Sequence, residues 1–282
     1  MPELPEVETV RRAIAPLLVG RTVRGVYTGP PSYFFLTPPA ELAARLVGRT
    51  ITDLGRHGKY LIARLDDGSA VLLHLGMTGQ LFTAGAESPR LRTRDRAAAG
   101  PDPHVHLELD LGEGAPRVRF RDVRKLGKVK WIPPGAREPR LARLGPDALE
   151  LDDERFARAV GRRRGAIKSV LLDQSALAGV GNLYADEALF LARIRPTRRA
   201  SALRPRERAA LAAAVREVLA RGLSAGGASL DDWVAPDGSD GGYQHARLVY
   251  GRERQPCPAC QAPLTRTVIG GRSATWCRRC QR

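Results

Sequence analysis

All four cysteines of the 282-residue chain fall in its last 26 residues, as C-P-A-C at 257–260 and C-R-R-C at 277–280, sixteen residues apart. Two such knuckles are what a tetrahedral thiolate zinc site requires. Each short loop brings two sulfurs to one metal, and the intervening hairpin closes the shell. A pair of disulfides is the alternative, but the opening MPELPEVETV is acidic where a secretory leader is basic and then apolar. One structural zinc, held by Cys257, Cys260, Cys277 and Cys280 with no open coordination position, is the expectation.

Charge narrows the partner. Lys plus Arg is 46 against 30 for Asp plus Glu, a net charge of +16 and a pI near 10.7. A surface that positive seeks a polyanion, nucleic acid first. No apolar run approaches the ~18 residues of a membrane span, so no membrane partner is expected. With 43% hydrophobic residues the chain can bury a core. These features point to a cytoplasmic protein. Only five of the basic residues are Lys (Lys59, Lys125, Lys128, Lys130 and Lys168), and unlike Arg each can lose and regain its proton.

Periodicity divides the chain. Over 5–18 the apolar Val7, Val10, Ile14 and Leu17 or Leu18 share one helix face, behind a Pro5 suited to a first turn; Glu3, Glu6 and Glu8 crowd its positive end. From Thr22 to about Pro133 the rhythm is that of strands. Val105, Leu107, Leu109 and Leu111 alternate with His104, His106, Glu108 and Asp110. Val118 and Phe120 alternate with Arg117, Arg119 and Arg121, and Val129 and Trp131 with Lys128 and Lys130. Residues 84–103 read as a mobile loop. Helices are expected over 152–160, 166–173, 183–194 and 205–223, then a Gly- and Asp-rich loop over 224–242. The expected fold is α+β: an N-terminal β-sandwich domain with a leading helix over 1–134, a helical domain over 135–242 and a zinc hairpin over 243–282.

Several motifs together resemble the formamidopyrimidine-DNA glycosylases of bacterial base-excision repair. They are PELPEVET at 2–9, GKYL at 58–61, HLGMTG at 74–79, DVRKLG at 122–127, AIK at 166–168, GVGNLYADEALF at 179–190, VYGR at 249–252 and the cysteine segment. The endonuclease VIII enzymes, a sister group, open differently after the Pro-Glu pair. The resemblance implies a helix–two-turn–helix module in the helical domain. It also implies a multifunctional, DNA-binding, zinc-finger repair enzyme, both glycosidase and lyase, that excises oxidised purines from double-stranded DNA and cleaves at abasic sites. The expected protein is monomeric and associated with the bacterial nucleoid.

By the same resemblance Pro2, exposed as the amino terminus once Met1 is removed, is the nucleophile. A secondary amine attacking a sugar C1′ yields an iminium that cannot shed its charge, an electron sink for β,δ-elimination. Glu3 matches an acid directed at the deoxyribose ring oxygen. Glu6 matches a supporting acid, though helix-dipole partner is an equal reading. Lys59, in H-G-K-Y at an expected strand, matches a proton donor in elimination. Arg124 and Asn182 resemble phosphate clamps, Asn182 at a helix start behind Gly179 and Gly181. Arg272, between the knuckles, matches a zinc-finger Arg of the catalytic set that grips phosphates around the lesion. His104, Arg163 and Lys168 resemble further DNA contacts. Met77 and Leu126 occupy the wedge that fills the gap left by a flipped base.

Two positions depart from the family. Leu126 stands where Phe is usual. Asp231, in GGASLDDW, stands where a relative has Lys in the loop that reads the damaged base. Base reading is therefore expected to lean on backbone groups of 224–243, with ring-opened purines handled better than 8-oxoguanine. Two other readings remain open: a catalytically inactive damaged-DNA-binding protein, or an endonuclease VIII-like lesion preference. The intact set Pro2, Glu3 and Lys59 favours the enzyme.

Overall fold

The computed structural model describes residues 2–91, 102–230 and 232–282. The chain forms two compact units, Met1–Glu138 with Ala225–Gln244, and Pro139–Ser224 with His245–Arg282.

The first unit begins with helix α1 (Leu4–Leu18). Glu3 is its cap, Pro5 lies in its first turn, and Val7, Val10, Ile14 and Leu18 form its buried stripe. Then follow β1 (Gly25–Thr28), α2 (Pro39–Leu46), β2 (Ile51–His57), β3 (Tyr60–Leu65), β4 (Ala70–His74), β5 (Gly79–Thr83), β6 (Val105–Asp110), β7 (Val118–Asp122) and β8 (Lys128–Ile132). They build two antiparallel four-stranded sheets, ordered β1-β6-β7-β5 and β2-β3-β4-β8. Inner-face residues of both, Leu107, Val118 and Phe120 from one and Leu54, Leu61, Leu73 and Val129 from the other, share a core with the α1 stripe. This is the expected sandwich behind a leading helix.

Alternation misleads at His106, which is buried against Phe34 where the β6–β7 register shifts, and on the outer face of β7, where Arg121 is buried rather than solvated. The cover comes from residues 225–244. Trp233 of that segment enters the core, and Val234 packs with Phe82 and Leu91. A stretch that reads as a loop is thus strapped to this unit. Of the loop expected over 84–103, Pro89–Leu91 form one 3-10 turn and 92–101 lie outside the described residues.

The second unit holds α3 (Pro139–Ala142), α4 (Asp153–Gly161), α5 (Ile167–Leu172), α6 (Asn182–Leu191) and α7 (Pro205–Ser224). The short α8 (Tyr243–Ala246) links the inserted segment back to this unit, ahead of hairpin β9 (Thr265–Ile269) and β10 (Arg272–Trp276). Asp152 caps α4 by accepting the Arg155 N–H at 2.7 Å. α7 buries Leu211, Val215, Val218 and Leu219 on one face, as its spacing predicts. At the hairpin tip Gly270 and Gly271 have φ of 56° and 75°, the paired positive values that a two-residue I′ turn needs. Among the described residues no helix is long and apolar enough to cross a membrane.

Candidate active site

Pro2 is buried and leads directly into the α1 cap. The Glu3 N–H donates to Glu6 Oε2 at 2.7 Å, and the other Glu6 oxygen accepts the Ala228 N–H at 2.9 Å. Glu6 therefore ties the start of the chain to the 225–244 segment as well as capping the helix. Lys59 sits in the turn between β2 and β3, not within a strand, and is nearly buried.

That turn is fixed to α1 by charge. Arg56 Nε donates to Glu8 Oε2 at 3.0 Å, and its Nη1 donates to the Gly58 carbonyl at 2.8 Å. Glu8 also takes Arg11 and Arg12, each at 2.8 Å. Burial alone would raise its carboxyl, but the three guanidinium groups outweigh burial and hold it at about 2. The element that begins Pro2-Glu3 thus grips the turn that carries Lys59.

The wedge candidates lie on two adjoining turns. A Cβ on Gly76 would come 2.5 Å from the Leu126 carbonyl carbon, so the Met77 turn and the Leu126 loop pack backbone to backbone. Buried Asp122 joins them. It accepts from Thr78 Oγ1 at 2.5 Å and from the Gly127 and Arg124 N–H groups at 2.6 and 3.2 Å. The Tyr33 hydroxyl donates to the Arg124 carbonyl at 2.6 Å. Met77 is 38% exposed, Leu126 half-buried and the Arg124 side chain exposed.

In the second unit Asn182 opens α6, and its Nδ2 reaches Ser273 Oγ at 3.4 Å, beside the exposed Arg272. Asn182 Oδ1 is buried with no partner among the described residues. Arg163 is half-committed, donating to Asp173 Oδ2 at 3.0 Å. Lys168 corrects the sequence reading. It is fully buried, paired with Asp186 Oδ1 at 2.6 Å and donating to the Ser273 carbonyl, so it braces β10 instead of contacting DNA. Asp186 also accepts the Thr275 N–H at 2.9 Å. Burial pushes its carboxyl up to about 6, against the pull of Lys168. The neighbouring Glu187 accepts the N–H groups of Leu248, Val249 and Tyr250 at 2.6, 2.9 and 2.8 Å, which holds the VYGR turn to α6.

The cysteine sulfurs lie within 4.8 Å of one another, with 3.9 Å from Cys257 to Cys280 and 3.5 Å from Cys260 to Cys277. Zinc–sulfur bonds of ~2.3 Å give a tetrahedron edges of ~3.8 Å, so the donor set fits one structural zinc. His104 remains half-buried in the first unit, its N–H on Asp102 Oδ1 at 2.9 Å. Asp231 lies outside the described residues.

Comparison with known proteins agrees with this arrangement. The formamidopyrimidine-DNA glycosylase N-terminal domain matches residues 1–129, the corresponding H2TH domain 144–233, and a zinc finger found in FPG and IleRS 254–282. The formamidopyrimidine-DNA glycosylase of Stenotrophomonas maltophilia is 43% identical over 285 residues, covering both chains in full. The chain belongs to the formamidopyrimidine-DNA glycosylase family. Among solved members, the MutM (Fpg) protein of Thermus thermophilus is 39% identical with a TM-score of 0.85, over 99% of this chain and 98% of that one. Lactococcus lactis Fpg, solved with abasic-site DNA, is 31% identical with a TM-score of 0.85 over the whole of both chains. The family motifs do not flag Glu8 as the hub for Arg56, nor Asp122 as the wedge frame. The i,i+3 and i,i+4 spacing of Glu8 to Arg11 and Arg12 was the one signal available.

Proposed function

We propose that this chain is a bifunctional DNA glycosylase and abasic-site lyase acting on oxidised purines, formamidopyrimidines and 8-oxoguanine, in duplex DNA. The observation that carries the reading is the seat of Pro2 and Glu3 at the head of α1, with the Lys59 turn held to that helix through Glu8 and Arg56. With Met1 removed, Pro2 offers a secondary amine, and an α-amino group of pKa about 7.7–8.0 is partly neutral near pH 7. Its nitrogen bonds to C1′ as the C1′–base bond breaks and the base departs with a proton. Glu3 protonates the ring oxygen, the sugar opens, and the C1′–nitrogen bond becomes an iminium with no second N–H to lose. The iminium acidifies C2′, whose proton passes to water as the electron pair forms the C2′–C3′ double bond and expels the 3′-phosphate. The extended iminium then acidifies C4′ in the same way and the 5′-phosphate leaves, with Lys59 as proton donor to the departing oxygen.

Arg124, Asn182 and Arg272 take phosphates, with His104 and Arg163 as further contacts, while Met77 and Leu126 fill the gap of the flipped base. Zinc holds the hairpin that presents Arg272. A cytoplasmic, nucleoid-associated monomer suits such a task. Borohydride added during turnover should reduce the iminium and lock protein to DNA through Pro2, in molecules that mass spectrometry finds without Met1. Full trapping with Met1 retained, or a cross-link at Lys59, would overturn the amino-terminal mechanism.

A further inference from the structure

Arg121 lies on the outer face of β7 directly opposite Gln80 of β5, and both side chains are buried, at 2% and 1% exposure. A buried guanidinium is costly unless paired and hydrogen-bonded, and a sheet face that only needed a lid would carry an apolar residue there. Arg121 is paired. Its Nε donates to Asp102 Oδ2 at 2.7 Å, and its Nη1 donates to Gln80 Oε1 at 3.1 Å. A guanidinium can only donate, so the Gln80 oxygen must face it, and the Gln80 NH2 group is left to face the other way. There it donates to the carbonyl of Asp232. Arg121 thus donates both ways, to Asp102 on one side and to Gln80 on the other, and Gln80 in turn donates into the 225–244 segment.

The other side of the same loop is pinned separately. The Ser229 N–H donates to Gln244 Oε1 at 3.0 Å, and Ser229 Oγ accepts the Gly241 N–H at 2.9 Å. The Ser229 carbonyl accepts Arg90 Nη2 at 3.3 Å, and Ala228 is held by Glu6. Gln80 is thus the side-chain donor at one end of a short stretch whose other end is fixed by four bonds, and Trp233 beyond it is rooted in the core.

We infer that the Arg121–Gln80 pair positions the lesion-reading loop, setting the backbone at Asp232 and Trp233, on the side opposite the pinned Ala228 and Ser229, in its base-reading form before DNA arrives. This rests on the glycosylase reading and on the expectation, from the family resemblance, that backbone groups of 224–243 read the damaged base. A loop already in place spares the ordering entropy that a free loop loses on binding. The pair touches neither DNA nor the reacting atoms. Its effect is confined to substrates that carry a base, because a preformed abasic site presents none to read.

The test uses the full-length zinc-loaded protein with Gln80→Glu, which keeps a partner for Arg121 but has no hydrogen to give the Asp232 carbonyl. Gln80→Leu, which also cannot donate and adds no charge, serves should the carboxylate unfold the unit. Single-turnover excision of 8-oxoguanine and of a formamidopyrimidine should fall about tenfold, as expected when one positioning hydrogen bond is lost. Cleavage of a preformed abasic duplex should stay within about twofold. Hydrogen exchange on the DNA-free variants should show faster exchange in 228–236 and unchanged protection in β2 and β3. Equal loss of excision and abasic cleavage, or full excision, or unchanged loop exchange would overturn the inference. The exchange measurement needs no lesion, so it separates a failure of the relay from a failure of the glycosylase reading.

Discussion

A carboxylate that takes three guanidinium groups is committed to structure, and Glu8 is in that state one turn away from Glu3. Its depressed value, about 2 against an ordinary 4.5, fixes the sign of its pH effect. The stability it contributes is present above about 4.5 and is lost as pH falls through about 2, so near neutrality it is constant. Glu8→Gln should therefore cost about 1.5–3 kcal/mol at any pH near 7, the worth of hydrogen bonds to a charged group. It should also loosen the Lys59 turn through Arg56 and slow elimination more than it weakens DNA binding. Glu3→Gln should do the opposite. It should melt near the wild-type temperature and bind lesion DNA, yet fail at base removal, because an amide cannot protonate the ring oxygen. Preformed abasic sites should suffer less, since their sugar opens spontaneously. Melting curves with single-turnover assays on both duplexes separate the two; similar losses in both variants would mean that Glu8 and Glu3 do not divide the work. Pro2, Glu3 and Asn182 stand out as candidates in the sequence because the resemblance gives their motif positions a role. Glu8 lies in the same PELPEVET motif, yet its bracing role is not legible there, because its decisive partner Arg56 lies 48 residues away on a strand.

Strand and helix rhythm is legible wherever one face meets a core and the other meets water. It fails where a second layer covers the outer face, as at Arg121, and where a charge goes inside, as at Lys168. Lys168 and Asp186 join α5 and α6 to β10 through a fully buried ion pair. Removing one partner of such a pair strands the other charge, so Lys168→Met should destabilise the second unit by about 3–5 kcal/mol near pH 7.5. The pH dependence follows from the raised Asp186 value. Asp186 gains its proton near 3.8 when unfolded and near 6 when folded, so its contribution is complete below about 3.8 and lost as pH rises through about 6. Relative to Asp186→Asn, the wild-type protein should therefore lose about 2 kcal/mol of stability between pH 4 and pH 6.5. In Lys168→Met the same fall should extend to higher pH, because the counter-ion is gone. Urea melts of the zinc-loaded protein across that range give both numbers; a flat difference would mean that Asp186 titrates near its ordinary value. Zinc acts at the same scale. Cys277→Ala should leave the sandwich folded and nearly abolish binding to lesion DNA, by releasing the strand that presents Arg272.

For the molecule as a whole the net charge of +16 matters less than which arginines are still free to use it. Many are neutralised locally: Arg11, Arg12 and Arg56 by Glu8, Arg198 by Glu207, and Arg117 by Glu108 and Asp110. Arg124 and Arg272 are exposed and pair with no carboxylate among the described residues. If binding followed the overall field, any Arg→Ala change would have one effect, since each removes one charge. If it follows counterions released at particular phosphates, the site decides, at about −0.9 in the log–log salt slope per contact. Arg124→Ala should then flatten the slope by about one unit and weaken damaged and undamaged duplex alike, whereas Arg117→Ala, equal in net charge, should leave the slope unchanged. Titrations of both variants from about 50 to 200 mM salt decide between the two views. Equal flattening would assign affinity to the field, and an unchanged slope for Arg124→Ala would remove that residue from the phosphate contacts.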